Sequence, residues 1–365
     1  MDGTLDASTA TRRITAQDLK DFTATVLRCV GLSAADANVT AEVLVAADMR
    51  GVSSHGVARL DYYVAMIEAG MIDPRGCPVV VRESATTAVV DARNGLGQPT
   101  GVYAMTMALR KAALHDVGMV TVRHSNHYGI AGYYAMMARE RDMIGLSLTN
   151  THPCVAPTGG RAPAIGTNPI AIAVPVSEPL EFVLDMATSV VPRGRLEVAA
   201  RREERLPAGW AIDRRGAATT DADEALAGAL LPLGGAALTS GYKGYGLAVA
   251  IEMLSAVLPG SLYGPLVAPM WDTAAPSDLG HFFMAVNVAA FDDPQAFKER
   301  ARDLLRRLKD APRADGVTEI LVAGEKERAA QERAHHDGVP LNSKVLRTLT
   351  AMASRYGVDS RGLDT

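Results

Sequence analysis

Two short segments combine histidine with serine, asparagine and glycine, a mixture that suits proton transfer. The first is "GVSSHG" (51–56), which follows an apolar helical pattern and contains His55. The second is "RHSNHYGIAG" (123–132), which places His124 and His127 between a strand pattern and a helical pattern. The ordinary pKa of histidine lies near neutrality, so this side chain can both accept and return a proton. These segments are therefore the first candidates for catalytic chemistry.

The same residues also allow two other kinds of site. His124 and His127 are three residues apart and His152 is a possible third ligand, but no HExxH occurs and carboxylates are sparse nearby. A zinc site needs three or four converging ligands, so no metal is predicted. Ser54 and His55 are adjacent, and we expect neighbouring side chains to point apart, which argues against a hydrolase-type nucleophile and base. Ser54 remains able to hydrogen-bond the backbone or a ligand.

Helical and strand patterns surround these candidates. Thr15 and Ser33 each precede a helical pattern and are followed three residues later by an acid, which predicts two helix starts. From 100 to 190 the two patterns alternate, which is typical of a sheet covered by helices and by itself suggests parallel strands. Residues 197–240 are rich in charge, glycine and alanine, and we expect either a poorly packed connection or a surface excursion there. The tail from about 294 is mostly helical and charged.

Composition restricts the class of protein. The 365 residues are 48% hydrophobic with a formal net charge of -4, which allows a large core and argues against a nucleic-acid binder. No apolar run reaches membrane-spanning length, and the polar start lacks the apolar centre of a signal peptide. The three cysteines are far apart and form no CxxC, which is typical of a reducing compartment. These features predict a cytoplasmic α/β enzyme without nucleic-acid or membrane partners.

One glycine-rich stretch is close to a dinucleotide-binding fingerprint. In "GLGQPTG" (95–101), Thr100 stands where GxGxxG requires its third glycine, and the preceding strand pattern is weak. A Rossmann pyrophosphate loop is therefore not predicted. Lys243 lies between glycines at a helix start in "SGYKGYGLA" (240–248), a position that suits a phosphate or carboxylate. A solvated lysine is the commoner alternative.

Seven motifs occur in the order and approximate spacing of one enzyme family. They are "RGVSSHGVARL", "SNHYGIAGYY", "GTNPIAIAVP", "LDMATS", "PRG", "LLPLGG" and "GYKGYGLA". Over about residues 15–350 the chain thus resembles the malate/L-lactate dehydrogenase family of the second type. This family also includes ureidoglycolate and sulfolactate dehydrogenases and cyclic-imine reductases. The resemblance implies an NAD(P)-dependent oxidoreductase without a Rossmann fold.

The resemblance also implies the fold class, a mixed α+β form of the α/β class. A non-Rossmann cofactor domain with a largely antiparallel sheet is joined by a helical domain built from the N- and C-terminal segments. This expectation outweighs the parallel sheet, because periodicity cannot set strand direction. We expect the helical domain at 14–80 plus about 294–356. The cofactor- and substrate-binding domain is expected at 81–293, with a variable excursion at about 197–240. A homodimer or higher homo-oligomer is expected.

The resemblance assigns roles to individual residues. The catalytic set is His55, Ser54 and His127, and we favour His55 as the proton donor, with His127 at the nicotinamide end. Substrate contacts are expected at Arg59, Thr151 and Thr167. NAD or NADP is the expected cofactor, and we favour NAD. Its contacts are expected at His127, Tyr128, Gly129, Ile130, Ala131, Asp185, Met186, Ala187, Lys243, Gly244, Gly324, Glu325 and Lys326.

Arg59 and Arg195 bear on the choice of substrate. Arg59 lies four residues after His55 at a helix start, where a guanidinium could hold a substrate carboxylate by two parallel hydrogen bonds. The alternative is an exposed arginine paired with Asp61 or solvent. Arg195 stands where imine-reductase members of the family carry an acid, which favours the hydroxy-acid branch.

The predicted reaction interconverts a small malate- or lactate-like 2-hydroxy acid and its 2-keto acid. It proceeds by hydride transfer, with a histidine as general acid and base. Three alternatives remain open: a cyclic imino-acid (pyrroline or piperideine-2-carboxylate) reductase, a non-catalytic dinucleotide-binding protein and a metal-dependent hydrolase.

Overall fold

The computed structural model describes residues 11–364. Their helices are α1 (Ala16–Cys29), α2 (Ala34–Met49), α3 (Leu60–Glu68), α4 (Gly97–His115), α5 (Ala131–Arg139), α6 (Arg193–Arg201), α7 (Ala222–Ala227), α8 (Gly241–Glu252), α9 (Pro294–Lys309), α10 (Glu325–Asp337), α11 (Ser343–Tyr356) and α12 (Arg361–Asp364). Their strands are β1 (Thr11–Ile14), β2 (Val79–Glu83), β3 (Thr87–Asp91), β4 (Val117–Ser125), β5 (Met143–Thr149), β6 (Ile170–Val174), β7 (Phe182–Met186), β8 (Ala211–Ile212), β9 (Ala218–Thr219), β10 (Ala229–Leu230), β11 (Leu279–Asn287) and β12 (Val339–Asn342). None of the helices in this part of the chain combines the length and apolar character needed to cross a membrane.

The main sheet has seven strands in the order β2-β3-β4-β11-β5-β6-β7. Only β3 and β4 pair in parallel, and the other neighbours are antiparallel. The predicted mixed fold with a largely antiparallel sheet is confirmed. The parallel sheet suggested by alternation is wrong for a topological reason. β4 and β5 run in the same direction, but β11 comes from far along the chain and inserts between them.

The two faces of this sheet are covered by different helices. α4 packs on β4 and β11, and α5 packs on β5 and β6. Their shared core includes Val120, Val122 and Phe283. The alternate residue Phe282 packs with Ile251 of α8 on the opposite face. This alternation along a strand is the expected period of two, and it leaves the strand ends free to carry functional side chains.

A second core joins the beginning and end of the described chain. It draws apolar side chains from 14–72 and from 334–363, with Leu96 between them. β1 pairs with β12 from Thr11 opposite Asn342 to Ile14 opposite Val339. These short strands were not predicted, because four residues give too little periodicity to detect. The packing supports a helical layer made from both terminal segments, while the predicted domain boundaries remain a prediction.

Both predicted helix starts are confirmed by capping hydrogen bonds. The hydroxyl group of Thr15 accepts from the backbone N–H of Asp18 at 3.1 Å, at the start of α1. The hydroxyl group of Ser33 accepts in the same way from Asp36 at 3.1 Å, at the start of α2. Such caps satisfy backbone donors that have no partner within the helix. They fix where α2 begins, and α2 leads directly to His55.

The segment from 197 to 240 is not a poorly packed connection, and that expectation is wrong. It contains α7 and the three-stranded sheet β10-β8-β9. Together with α6 it encloses a core that includes Leu196, Ala225 and Leu230. Much of this core is alanine, which buries well but gives a weak hydrophobic pattern, so sequence reasoning missed it.

Candidate active site

The segment that carries His55 is anchored by a buried carboxylate. Two tight 3-10 turns, Ser53–His55 and Val57–Arg59, connect α2 to α3. The backbone N–H of Val57 donates to Asp48 Oδ2 at 2.7 Å. A Cβ atom at Gly56 would lie 2.1 Å from this carboxylate, so only glycine fits there. Burial raises the pKa of Asp48 to about 7, although the hydrogen bond from Val57 acts in the opposite direction. Sequence reasoning missed Asp48, which lies inside a helical pattern.

Ser54 and His55 are in direct contact. Ser54 Oγ lies 2.9 Å from His55 Nδ1, so the expectation that these side chains point apart is wrong. The tight turn over Ser53–His55 brings the neighbouring side chains to the same side. Burial of the imidazole is the larger cause that lowers the pKa of His55 to about 4, and the positive charge of Arg59 is the smaller one. His55 is therefore a neutral imidazole at neutral pH, the form that can accept a proton.

His127 lies beside His55 at the end of β4. The two ring centroids are 5.5 Å apart and the ring planes are inclined by 28°. The hydroxyl oxygen of Tyr63 lies 2.6 Å from His127 Nδ1. Burial is the main cause that lowers the pKa of His127 well below its ordinary value, and His55 and Arg59 add to it. The structure thus brings the two predicted catalytic histidines together.

Tyr63 is a site residue that sequence reasoning missed. Its side chain is fully buried in α3, and burial raises the pKa of its hydroxyl group, which therefore stays protonated. Tyr63 lies four residues after Arg59, and this spacing places both on one helical side next to the His55 turn. That spacing was the available signal. By holding Nδ1 of His127, Tyr63 orients the ring and helps to define its tautomer.

His124 does not join His127. Its Nδ1 atom lies 2.9 Å from Asp91 Oδ2 on β3, whereas His127 faces Tyr63. The third candidate metal ligand, His152, has its pKa lowered by burial and then by the charges of Arg193 and Arg59. Within residues 11–364 no group of three or more histidine, cysteine or acidic residues is arranged to hold a metal ion.

Arg59 lies against the histidine turn and is half-buried. Its Nε atom donates to the Ser54 carbonyl oxygen at 2.8 Å, and Nη1 lies 3.6 Å from Met270 Sδ. The alternative pairing with Asp61 does not occur in the described structure, because the Asp61 carboxylate accepts from the N–H of Tyr62 at 2.8 Å. Nη2 has no hydrogen-bond partner within residues 11–364. The guanidinium is therefore positioned by the backbone and remains available to an anion.

The predicted substrate threonines lie together at the adjoining ends of β5 and β6. Thr151 Oγ1 accepts from the backbone N–H of Thr167 at 3.0 Å, and the two hydroxyl oxygens are 3.4 Å apart. Buried Asn168 fixes this arrangement, because its Oδ1 accepts from the N–H of Thr151 at 3.1 Å. His152, which follows Thr151, lies within electrostatic range of Arg59. Asn168 therefore holds the two threonine hydroxyl groups as neighbours.

The predicted cofactor segments meet along β7 and its continuation. The N–H of Gly132 donates to Asp185 Oδ2 at 2.7 Å, which joins the start of α5 to β7. The N–H of Val183 donates to Ala323 O at 3.0 Å, which places the 322–326 loop against the same strand. The N–H of Leu233 donates to Thr188 O at 2.8 Å and leads to the start of α8. Four segments that are distant in sequence thus share one surface.

This surface combines close backbone packing with two exposed lysines, which suits the phosphate groups of a dinucleotide. A Cβ atom at Gly132 would lie 2.8 Å from the Asp185 carboxylate, so the backbone approaches closely there. Gly324 has φ +101, a conformation that favours glycine. Lys243 and Lys326 are exposed and make no ion pair within the described residues, so both remain available to phosphate groups. When bound, the dinucleotide would supply hydride acceptance and donation.

The residues predicted to contact the cofactor differ in how exposed they are. Tyr128 and Ile130 are buried, so their backbone rather than their side chains can face a ligand. Met186 and Ala187 are half-buried. Part of the Asp185 residue is exposed to solvent. Protein atoms packed around its carboxyl group keep water away, and this desolvation raises the pKa of the carboxyl group to about 6.

Glu325 has a local role in the structure. Its carboxylate accepts from Lys309 Nζ at 2.7 Å and from the N–H of Val322 at 2.9 Å. These contacts connect the 322–326 loop to the end of α9 and fix its conformation. Among the charged side chains of this loop, Lys326 makes no ion pair within the described residues. Direct contact between Glu325 and a cofactor remains a prediction.

Comparison with known proteins identifies the family. The sequence pattern of the malate/L-lactate dehydrogenase family matches residues 14–350, and the chain belongs to that family. It is 42% identical over 349 residues to a malate dehydrogenase of Pyrococcus horikoshii, covering 95% of this chain and 96% of that protein. It is 40% identical over 335 residues to an L-sulfolactate dehydrogenase of Methanocaldococcus jannaschii, covering 92% and 94%. A crystal structure of malate dehydrogenase from Entamoeba histolytica shares the fold with a TM-score of 0.92 at 35% identity, covering 96% and 99%.

Proposed function

We propose that this protein interconverts a small 2-hydroxy acid and its 2-keto acid by hydride transfer with NAD(P). The observation that carries the proposal is the stacked pair of His55 and His127 beside Arg59. A hydroxyl group contacts Nδ1 of each ring, and Nε2 of each has no partner within residues 11–364. Membership of a family of hydroxy-acid dehydrogenases supports the same reaction.

His55 is proposed to handle the substrate hydroxyl proton. Loss of a hydride from a secondary alcohol requires loss of that proton, and a neutral imidazole can accept it. A bound nicotinamide would supply hydride acceptance in this direction and hydride donation in the reverse direction. A substrate carboxylate beside Arg59 would offset part of the positive field and raise the pKa of His55 in the complex. Such a rise favours the protonated His55 that reduction of a keto acid requires.

Arg59, Thr151 and Thr167 are proposed to orient the acid. The guanidinium can bind the carboxylate through two parallel hydrogen bonds, which fixes the face of the reacting carbon. The Thr151 and Thr167 hydroxyl groups, 3.4 Å apart, provide neighbouring polar atoms for the remaining substrate oxygens. His127 is proposed to lie at the end of the site where the nicotinamide binds. The residues that follow His127 lead directly into the glycine-rich start of α5, which is a proposed cofactor segment.

NAD is proposed in preference to NADP. The support for a dinucleotide is the surface along β7, with Lys243 and Lys326 as proposed phosphate contacts. Titration of the purified protein with NADH and NADPH, followed by cofactor fluorescence, tests this choice. A tighter dissociation constant for NADPH would reverse it. No binding of either cofactor at millimolar concentration would contradict the proposed function itself.

The reaction is tested by supplying the protein with a panel of 2-keto acids and either NADH or NADPH. We expect keto-acid-dependent loss of reduced-cofactor absorbance, and the panel should include pyruvate, oxaloacetate and sulfopyruvate. Cyclic imino acids form the second arm of the panel. Turnover of pyrroline-2-carboxylate without any keto-acid turnover would support the reductase alternative, which Arg195, exposed on α6, disfavours. Cofactor binding without any turnover would support a non-catalytic protein.

We also propose that the protein works as a homodimer or higher homo-oligomer in the cytoplasm. Its cysteines are all free thiols, with Cys29 and Cys77 exposed and Cys154 buried, which suits a reducing compartment. Self-association is proposed from the resemblance to the family, and the exposed side chains of Leu258 and Leu266 are candidate interface residues. Light scattering coupled to gel filtration should give at least twice the mass of one chain.

A further inference from the structure

A buried histidine outside the predicted set binds two neighbouring strands at once. His281 is the third residue of β11 and is fully buried. Its Nδ1 atom lies 2.8 Å from Thr149 Oγ1, at the last residue of β5. Its Nε2 atom lies 2.9 Å from Ser125 Oγ, at the last residue of β4. Each ring nitrogen therefore holds the end of a different strand.

The direction of these hydrogen bonds follows from the surrounding carbonyl groups. The Thr149 hydroxyl lies 3.0 Å from the carbonyl oxygens of both Asn150 and Gly280, to which it can only donate. When it donates to one of these carbonyls, it accepts from the Nδ1–H of His281, and Nε2 then accepts from the Ser125 hydroxyl. Burial lowers the pKa of His281 to about 3, so the ring is neutral as this arrangement requires. The network thus favours the tautomer with its hydrogen on Nδ1.

The strand ends that His281 holds lead directly to the proposed active site. His127 follows Ser125 by two residues, and Thr151 follows Thr149 by two residues. β4 and β5 do not pair with each other, and each pairs with β11 instead. The separation between His127 and Thr151 therefore depends on how both strand ends are fixed to β11.

The backbone ladder is irregular where this fixation is needed. The pairing of β11 with β4 shifts register between Leu279 and His281, opposite the end of β4. His281 also stacks flat on Tyr128, with ring centroids 4.5 Å apart and planes inclined by 6°. Tyr128 directly follows His127. Side-chain contacts of His281 thus hold the His127 segment where regular backbone pairing does not.

We propose that His281 is a positioning residue that sets the spacing between the acid/base side and the substrate side of the active site. It acts through Ser125 on His127 and through Thr149 on Thr151. This inference rests on the proposed function, because it concerns the spacing of groups assigned there. A displacement of about 1 Å between reacting groups can cost on the order of 100-fold in rate.

Two substitutions separate the two contacts. His281→Asn keeps a short amide that can donate to Thr149 but does not reach Ser125. His281→Gln has a longer amide that can bind Ser125 at the position of Nε2 but loses the donor to Thr149. Phe283→Leu is the matched control, because Phe283 lies on the same face of β11, packs against Tyr128 and makes neither hydrogen bond.

The two variants should fail differently. His281→Asn should lower kcat roughly tenfold or more and change the pH profile of kcat, with KM for the hydroxy acid within about threefold of wild type. His281→Gln should raise that KM roughly tenfold, with a smaller change in kcat. Phe283→Leu should lower thermal stability and leave both constants near wild type. Equal losses in both His281 variants, or kinetics like those of Phe283→Leu, would overturn the inference.

Two further variants change the hydrogen-bond partners of His281 instead of His281 itself. If the His281 variants do not fold, Ser125→Ala should reproduce the kcat effect and Thr149→Val the KM effect, and the opposite pattern would contradict the proposal. An inactive wild-type protein across both substrate panels would overturn the proposed function together with this inference. An active wild type with kinetically normal variants would overturn this inference alone.

Discussion

The imidazole rings of His55 and His127 lie with their centroids 5.5 Å apart and their planes inclined by 28°. The two rings reach this position from different parts of the fold, one on the turn after α2 and the other at the end of β4. At this distance a positive charge on one ring opposes a positive charge on the other, and His55 is among the causes that lower the pKa of His127. The pair can therefore carry one proton more easily than two, as a single acid/base function requires.

The first prediction separates the roles of the two histidines. His55→Asn should fold and lower kcat by about 10²- to 10⁴-fold, because the general acid/base is lost. His127→Asn should also lower kcat, by misplacing the nicotinamide relative to the substrate, and should in addition weaken cofactor binding, which His55→Asn should leave near wild type. Steady-state kinetics with circular dichroism as the folding control would check both variants. Near-native turnover in His55→Asn with loss in His127→Asn would reverse the roles, and full activity in both would contradict the mechanism.

The second prediction concerns the carboxylate clamp at Arg59. Arg59→Lys keeps the charge but loses the planar fork that donates to Ser54 O and leaves Nη2 available. We expect kcat/KM for the keto acid to fall at least about tenfold, equivalent to roughly 1.4 kcal/mol of transition-state stabilisation. NADH affinity, measured by fluorescence, should barely change. Native kinetics, or loss of NADH binding, would argue against a substrate clamp.

The third prediction concerns pH and the buried Asp48 carboxyl group. Its pKa rises from 3.8 to about 7 on folding, so the stability it contributes is fully present below pH 3.8 and is lost as pH rises through 7. The stability of wild type relative to Asp48→Asn should therefore fall by about 3 kcal/mol between pH 5 and pH 8.

Urea unfolding of the two proteins at both pH values measures this difference. Asp21→Asn, which changes an exposed carboxylate on α1, is the matched control and should show no comparable divergence from wild type. A constant difference between wild type and Asp48→Asn across the pH range would show that Asp48 does not titrate in this window.

The fourth prediction tests the cofactor surface at Gly132. An alanine Cβ atom there would lie 2.8 Å from Asp185 Oδ2 and would push the carboxylate away from the N–H of Gly132. We expect the dissociation constant for NADH to rise roughly tenfold, about 1.4 kcal/mol of binding free energy. Gly246→Ala on α8 is the control, because nothing lies within 4 Å of the added methyl group. Equal NADH affinity in both variants would place the cofactor elsewhere.

Much of the architecture was predictable because local signals and the fold agree. The capping residues Thr15 and Ser33 marked helix starts that the structure confirms. The alternating patterns between 100 and 190 correctly located strands and helices. They could not reveal that β11 inserts between β4 and β5, because that pairing joins segments distant in sequence. Local periodicity carries no information about such partners.

The candidate site likewise contains residues that the sequence predicted and residues that it did not. His55 and His127 were found because glycine and serine beside histidine are unusual in a plain connector. Tyr63 and Asp48 were missed, because each lies in a helical pattern where a tyrosine or an acid has an ordinary explanation. Their importance depends on contacts at 2.6 Å and 2.7 Å that exist only after the chain has folded. Residues that support a site are therefore harder to predict than residues within motifs.

The pairing of β1 with β12 has a consequence for biosynthesis. Ile14 lies opposite Val339, and the core around them is shared by two segments that are far apart in the sequence and are therefore made at different times. The ribosome therefore releases α1 and α2, which pack on each other, long before the segment 334–363 that completes their core exists. Until those partners emerge, the nascent helices hold exposed apolar surface that invites association with other chains. High contact order of this kind slows folding, so this exposed state is prolonged.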